Sequence, residues 1–200
     1  MQHGLIAAEA DQSAGIQWYN SLYEATGAAA TAPFTGSANT TTIIAVQGPI
    51  ATSNAAGLAR AYKGGGYTDW YLPSKDELNK LYLSMEAIGG FVYVCYWSSS
   101  ESDAVNAWAQ YFADGYQHLY DKSFANRVRA VQAFEPPAHA GRDGRGGGRS
   151  VWIAKADARG DSSLRCPLST MTYSYEVSAR EAGAVRFRST RLPRAGVAAQ

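Results

Sequence analysis

The feature that most limits how this chain can fold is a change of hydrophobic period near residue 90. Pro73-Ser74-Lys75-Asp76-Glu77 opens a helix with a capping box, in which Ser74 accepts from the backbone N–H of Glu77 and Glu77 reaches back to Ser74. Leu78, Leu81, Tyr82 and Met85 then fall at i, i+3, i+4 and i+7 on one apolar face, and Gly89-Gly90 ends the helix. From Phe91 the repeat shortens to that of strands, predicted over 91–97, 107–112, 116–120 and 127–134, with Asp114-Gly115 as a hairpin turn. Helices followed by a run of short antiparallel strands define an α+β fold.

Upstream, Leu5 to Ala8 reads as a short strand and Ile16 to Tyr19 as partly buried chain. The Gly-, Ala-, Thr- and Ser-rich segment 27–40 reads as loop. Asn39-Thr40-Thr41 is placed to cap a helix through Ile43, Ile44 and Val46 that Gly48-Pro49 stops. A second helix is predicted over 53–62, with Leu58 and Tyr62 on one face and Gly64-Gly65-Gly66 as its stop. The fold expected for residues 3–134 thus has two or three helices and one short-stranded antiparallel sheet.

Composition separates the rest of the chain from this unit. Residues 139–200 hold 11 Lys+Arg and 5 Asp+Glu, a net of +6, whereas residues 1–138 hold 7 and 12, a net of −5; together they return the chain's +1. Pro136-Pro137 and the GRDGRGGG run at 141–148 lie at the break. Residues 135–200 are therefore expected to form a Pro/Gly/Arg-rich extension, disordered or loosely packed, with a small appended β unit over 171–177 and 185–188 as the alternative. The arginines of the extension are not interleaved with aromatics, so no specific nucleic-acid partner is expected. No apolar run is long enough to cross a bilayer. Met1-Gln2-His3-Gly4 has no basic signal-peptide start and Leu5 to Ala8 is too short for its apolar part. These features leave the location open between the surface of a cell or phage particle, if the start is truncated, and the cytoplasm otherwise.

No catalytic set stands out. His3, His118 and His139 are scattered, and none has the i+4 partner of a helical zinc motif. Cys95 and Cys166 are too far apart and too few for a disulfide framework. Cys95, inside an apolar run, reads as a small hydrophobe. Asp114 and Asp121 lack the alternating acidic spacing of a calcium loop. The expectation is a binding protein and not an enzyme, with no cofactor and no metal.

Residues 96–134 are the informative stretch. A framework of Tyr96, Trp97, Ala107, Trp108, Phe112, Gly115, Val128, Ala130, Val131 and Phe134 supplies bulk, turn permission and strand alternation. Trp18, Trp70, Trp97 and Trp108 are expected to be mainly buried. Between the framework positions the chemistry follows neither a core nor a solvated face. Tyr111, Tyr116, Tyr120 and Phe124 stand among Ser, Asn, Asp and Ala, the mixture of an antibody paratope.

Several segments carry a more specific resemblance: GGYTDWYLPSKDELNKLY (65–82), IGGF (88–91), YWSSSE (96–101), Ala107-Trp108 and RVRAVQAF (127–134), with GLIAAEADQS (4–13) and IQWYN (16–20) at the start. Together they resemble the Lcl C-terminal domain family over about residues 3–134. The resemblance implies a bacterial or phage domain with a C-type-lectin-like fold, akin to formylglycine-generating enzymes. Residues 96–134 are similar to the variable proteins of diversity-generating retroelements, in which a template repeat rich in Asn codons is copied with adenine-specific errors into the 3′ end of the receptor gene. Such errors in AAC or AAT cannot yield Lys, Glu, Gln, Met or Trp.

On that resemblance the variable, ligand-binding positions are Ser102, Asp103, Val105, Asn106, Ala109, Tyr111, Ala113, Asp114, Tyr116, His118, Leu119, Tyr120, Asp121, Ser123, Phe124, Ala125 and Asn126. None is an excluded type, and Glu101, Trp108, Gln110, Gln117 and Lys122 fall between them as framework. The variable residues are expected to share one contiguous face and to bind a protein or glycan. The alternatives are an ordinary adhesin of the same fold with a fixed ligand and, more remotely, an enzyme of the formylglycine-generating type. That enzyme needs reactive cysteines, where this domain offers Cys95 alone.

Overall fold

The computed structural model describes residues 4–134 in full and, beyond them, the backbone of four strands. In chain order the elements are β1 (Gly4–Ala7), β2 (Ser13–Ile16), α1 (Gly36–Gln47), α2 (Ala55–Ala61), α3 (Lys75–Leu83), α4 (Met85–Ile88), β3 (Cys95–Glu101), β4 (Asn106–Tyr111), β5 (Gln117–Asp121), β6 (Asn126–Val128) and β7 (Val131–Phe134). The backbone strands are β8 (Trp152–Ala156), β9 (Asp161–Arg165), β10 (Tyr173–Ala179) and β11 (Val185–Arg191). Among the described residues the fold is α+β, with four α-helices and two sheets in place of the single sheet expected.

One sheet runs β2-β6-β3-β4-β5 and leaves β5 on an edge. In the other, β1 pairs antiparallel with β7, from Gly4↔Phe134 to Ala7↔Val131, and parallel with β8 on its other side. Strands β9, β10 and β11 continue that sheet outward; β10 overlaps the candidate strand at 171–177 from Tyr173 on, and β11 covers the one at 185–188. The looseness expected for the rest of 135–200, together with His3, His139 and Cys166, lies outside the described residues.

The capping box forms as read: Ser74 Oγ accepts from Glu77 N at 3.3 Å, and Ser74 N donates to Glu77 Oε2 at 2.7 Å. Glu77 also accepts from Phe34 N at 2.7 Å and Tyr71 OH at 3.2 Å, so the box doubles as a tertiary tie. Burial pushes the Glu77 carboxyl above the usual range, and the bonds it accepts oppose that shift. The helix breaks at Ser84, and Met85–Ile88 forms a separate turn.

Helix α1 starts at Gly36, inside the segment read as loop. A Cβ at Gly36 would lie 2.7 Å from Ser74 N and 2.8 Å from Leu72 O. The small residue there answers a close backbone approach, which local composition presents as flexibility. Asn39 and Thr40 are buried inside the helix and not at its cap; Leu72 N donates to Thr40 Oγ1 at 3.0 Å. Asn54, one residue later than the predicted start, caps α2 by accepting from Gly57 N at 2.7 Å.

The predicted strand 91–97 starts only at Cys95 and continues through Ser98, Ser99 and Ser100 to Glu101. The four polar residues are buried and satisfied: Ser98 Oγ donates to Trp108 O, Ser100 Oγ donates to Ala30 O and accepts from Lys75 N, Ser99 N donates to Pro73 O, and Glu101 N donates to Ala28 O while its carboxylate accepts from Lys122 Nζ. The predicted strand 127–134 divides into β6 and β7, which belong to different sheets. Arg129 at the division is fully buried and donates to Ala8 O, Glu9 O, Gly90 O and Asp11 Oδ1. Its fork fills the crossing between sheets with matched acceptors, as a buried guanidinium requires.

Trp18, Trp70 and Trp97 are fully buried, and two apolar clusters surround them and Phe112. Trp108 departs from the expected set. It is half-buried, with Lys75 Nζ 3.5 Å from its ring centroid.

Candidate binding surface

Strands β4 and β5 form a hairpin in register from Asn106↔Asp121 to Gln110↔Gln117. The turn closes through Gly115, whose φ of 81° is a left-handed conformation that suits glycine. Gly115 N donates to Tyr111 O at 2.8 Å, and Tyr116 N donates to Asp114 Oδ1 at 2.9 Å. Against Gly115 packs the Tyr82 ring, so α3 props the turn from beneath.

Successive side chains of a strand point to opposite faces. His118 and Tyr120 therefore share a face with Ala107, Ala109 and Tyr111, while Leu119 shares the other with Trp108. On the first face Tyr116, His118, Tyr120 and Phe124 make a continuous row, with successive ring centroids 4.2, 5.9 and 5.6 Å apart. Tyr116 and Phe124 at its ends are 62% and 53% exposed. The Cys95 thiol donates to Tyr120 OH at 3.2 Å. Proximity to Cys95, whose thiolate would repel a phenolate, and partial burial push the Tyr120 hydroxyl up to about 12.

Ser102, Asp103, Val105, Ala113, Asp114, Tyr116, Leu119, Ser123, Phe124 and Ala125 are exposed, and Asn106, Tyr111, His118, Tyr120 and Asp121 are half-buried. Ala109 and Asn126 are buried and stand apart from the others. The strand alternation also divides the set, with Leu119 on the face away from the aromatic row, so the positions do not all share one face.

The loops at either end are closed by hydrogen bonds to their own carboxylates. Asp103 Oδ1 accepts from Val105 N and Asn106 N, both at 2.7 Å, and bonds from the Asn106 side chain and these amides hold its carboxyl below the usual range. Asp121 Oδ1 accepts from Tyr23 OH at 2.7 Å and Ser123 N at 2.9 Å, which lowers its pKa too. Tyr23, itself 49% exposed, borders the surface through this contact. Its segment carries no local signal of that role, because the contact spans most of the domain.

Beneath the loops lies a buried polar frame. Lys122 Nζ is fully buried and donates to Glu101 Oε1 at 2.5 Å, Ala104 O at 2.9 Å and Glu24 O at 3.2 Å. Glu101 also accepts from Thr26 N and Gly27 N. Burial works to raise the Glu101 pKa, but the Lys122 ammonium and the two amides outweigh it and hold it low. Gln110 is buried and donates to Asn79 Oδ1 and Gly115 O, and half-buried Gln117 donates to Lys75 O.

Among the described residues no group of three or more His, Cys, Asp or Glu side chains comes together as a metal set, and no helix is long and apolar enough to cross a membrane. A cavity of about 330 Å³ lies apart from this surface, between residues 10–12 and α2, lined by Ala10, Asp11, Gln12, Leu58, Ala61 and Tyr62. The profile of the Lcl C-terminal domain matches residues 8–132 of the chain. No curated protein matches it.

Proposed function

The chain belongs to the Lcl C-terminal domain family, and from that premise we propose that it is a ligand-binding display protein whose accessible positions within 102–126 form a hypervariable surface diversified by a retroelement. The observation that carries this reading is the division between inward and outward positions. Of the five residues of types that adenine errors in an Asn codon cannot produce, Glu101, Gln110 and Lys122 are buried and hydrogen-bonded, and Trp108 and Gln117 are half-buried and held against Lys75. Fifteen of the seventeen candidate positions, all of types such errors can produce, reach the surface at least in part. A frame fixed in chemistry beneath a face free to vary is what repeated diversification of one site needs. The aromatic row supplies large, rigid contact area, and the small polar residues around it supply adaptable hydrogen bonds. The antiparallel closure of β1 on β7 supports the C-type-lectin-like reading of the fold.

Binding and not catalysis is the work assigned to this surface. Its one thiol, Cys95, is engaged by Tyr120, which leaves it a packing and hydrogen-bonding role.

Gene context tests the reading. A reverse-transcriptase gene close by, and a near-repeat of the codons for 96–134 that differs at adenines, are expected. A neighbourhood with neither assigns the chain to the fixed-ligand adhesin. One observation favours that second reading: Ala109 is buried opposite Trp97, where a larger side chain has no outlet. At the protein level, replacing Tyr116, Tyr120 and Phe124 together by Ser should preserve the fold and abolish binding of the parent's ligand.

A further inference from the structure

Strand β5 is the last in its sheet, and its outer edge is unpaired among the described residues. The register shows which backbone groups face outward. Tyr111 N donates to Tyr116 O and Lys122 N donates to Val105 O, which makes 111/116 and 105/122 hydrogen-bonded pairs. The pairing of β4 with β5 is regular, so 109/118 and 107/120 are hydrogen-bonded pairs as well. The N–H and C=O of Gln117 and Leu119, and the N–H of Asp121, therefore point away from β4. Asp121 O already accepts from Phe124 N.

Exposed edges of this kind are usually blunted by Lys, Pro or a bulge. β5 has none of these: it reads Gln117-His118-Leu119-Tyr120-Asp121, and the neighbouring Lys122 is buried against Glu101. The display residues flank the edge on both sides, His118 and Tyr120 on one face and the exposed Leu119 on the other. The charged groups around it are mainly acidic: Asp103 and Asp114 are exposed and Asp121 is half-buried, against one cation, the half-buried Lys75, whose ammonium is held over the Trp108 ring on the Leu119 face.

We infer that an extended, basic peptide segment of the ligand adds to β5 as a sixth strand, in the manner of strand addition at an open sheet edge. The inference rests on the display-surface reading and says which class of ligand that surface takes. Its physical basis is a division of labour. A site whose side chains are rewritten needs some contact that does not depend on them, and the backbone of Gln117, Leu119 and Asp121 provides one. The side chains at 118, 119 and 120 then choose among peptides, and the carboxylates at 103, 114 and 121 favour lysine and arginine in the partner strand.

Short random-sequence peptides selected for binding to the full chain are the probe. The peptides recovered are expected to be rich in Lys and Arg. Methylating the nitrogens that face β5 should abolish their binding, and methylating the alternate nitrogens should not. Leu119→Pro removes an outward N–H that the β4 ladder does not use, a change edge strands tolerate. It should weaken binding about tenfold, as expected for loss of one or two backbone hydrogen bonds. Leu119→Ala, which keeps the N–H, should weaken it far less. If Leu119→Pro fails to fold, the methylation scan decides alone. Equal effects of methylation at both sets of nitrogens, or equal effects of the two Leu119 variants, overturn the inference. So does a concentration-dependent dimer that Leu119→Pro abolishes, because that gives the edge to a second copy. Loss of peptide binding in the Tyr116, Tyr120, Phe124 triple variant, with Leu119→Pro silent, would leave the display surface standing and remove strand addition. Peptide binding that survives both would remove both.

Discussion

Lys122 and Glu101 meet in the interior, 2.5 Å apart, directly under loops whose residues face solvent. The ammonium also holds Ala104 O and Glu24 O, so one buried charge ties the loop after β3, the turn after β5 and the segment around residue 24. Removing one member of a buried pair leaves the other charged and uncompensated. Lys122→Met should destabilise the domain by about 3–5 kcal/mol in urea melts, and Lys122→Met with Glu101→Leu should recover most of that loss. A single variant as stable as the parent would show that the pair does not support the loops.

The same carboxylate gives a pH signature. The folded-state pKa of Glu101 lies below its ordinary value of 4.5, so its contribution is fully present above that value and fades as pH falls through the folded value. The stability gap between the parent and Glu101→Gln should therefore be constant through neutral pH and narrow only in acid, below about 4.5. Chemical melts of both proteins across that range measure it. A gap that narrows between pH 6 and 8 would point to another group.

Trp97 and Trp108 lie in neighbouring strands and differ in depth. Trp97 is fully buried and donates from Nε1 to Ile16 O at 2.8 Å. Trp97→Ala should cost about 3–5 kcal/mol. Trp108→Ala should cost clearly less, because the side chain is only partly buried and Lys75 lies over its ring. Equal costs would contradict the depths assigned to them.

Gly115→Ala tests the turn. The left-handed φ and the Tyr82 ring both oppose a Cβ there, and a loss of about 1–3 kcal/mol is expected. Tyr82→Ala in the same chain should relieve the steric part and leave the backbone part, which separates the two causes by thermal melts.

What could be read from the sequence was what neighbouring residues decide. The Ser74–Glu77 box and the Gly115 turn are local devices, and both form where they were expected. The start of α1 was hidden because Gly36 is small for the sake of Leu72 and Ser74, far along the chain. The predicted strand stops at Trp97, short of Ser98, Ser99 and Ser100, because the acceptors and donors of these serines lie in other segments. The split of 127–134 into two sheets turns on Arg129, whose partners at Ala8, Glu9, Asp11 and Gly90 no local pattern announces. The aromatic row was legible as a composition. Its geometry was not, since Ala109 and Asn126 turn inward and Leu119 faces away for reasons of strand pairing alone.

The pairing of Gly4 with Phe134 has a bearing on kinetics. The strands that open and close the unit lie at opposite ends of it in sequence, and contacts so distant slow folding. The side chains at 116, 118 and 124 take no part in the pairing of β1 with β7. Proteins that differ only at such outward positions should refold at nearly one common rate while recognising different molecules, so that novelty in recognition is tried without retuning the time a nascent chain needs to mature.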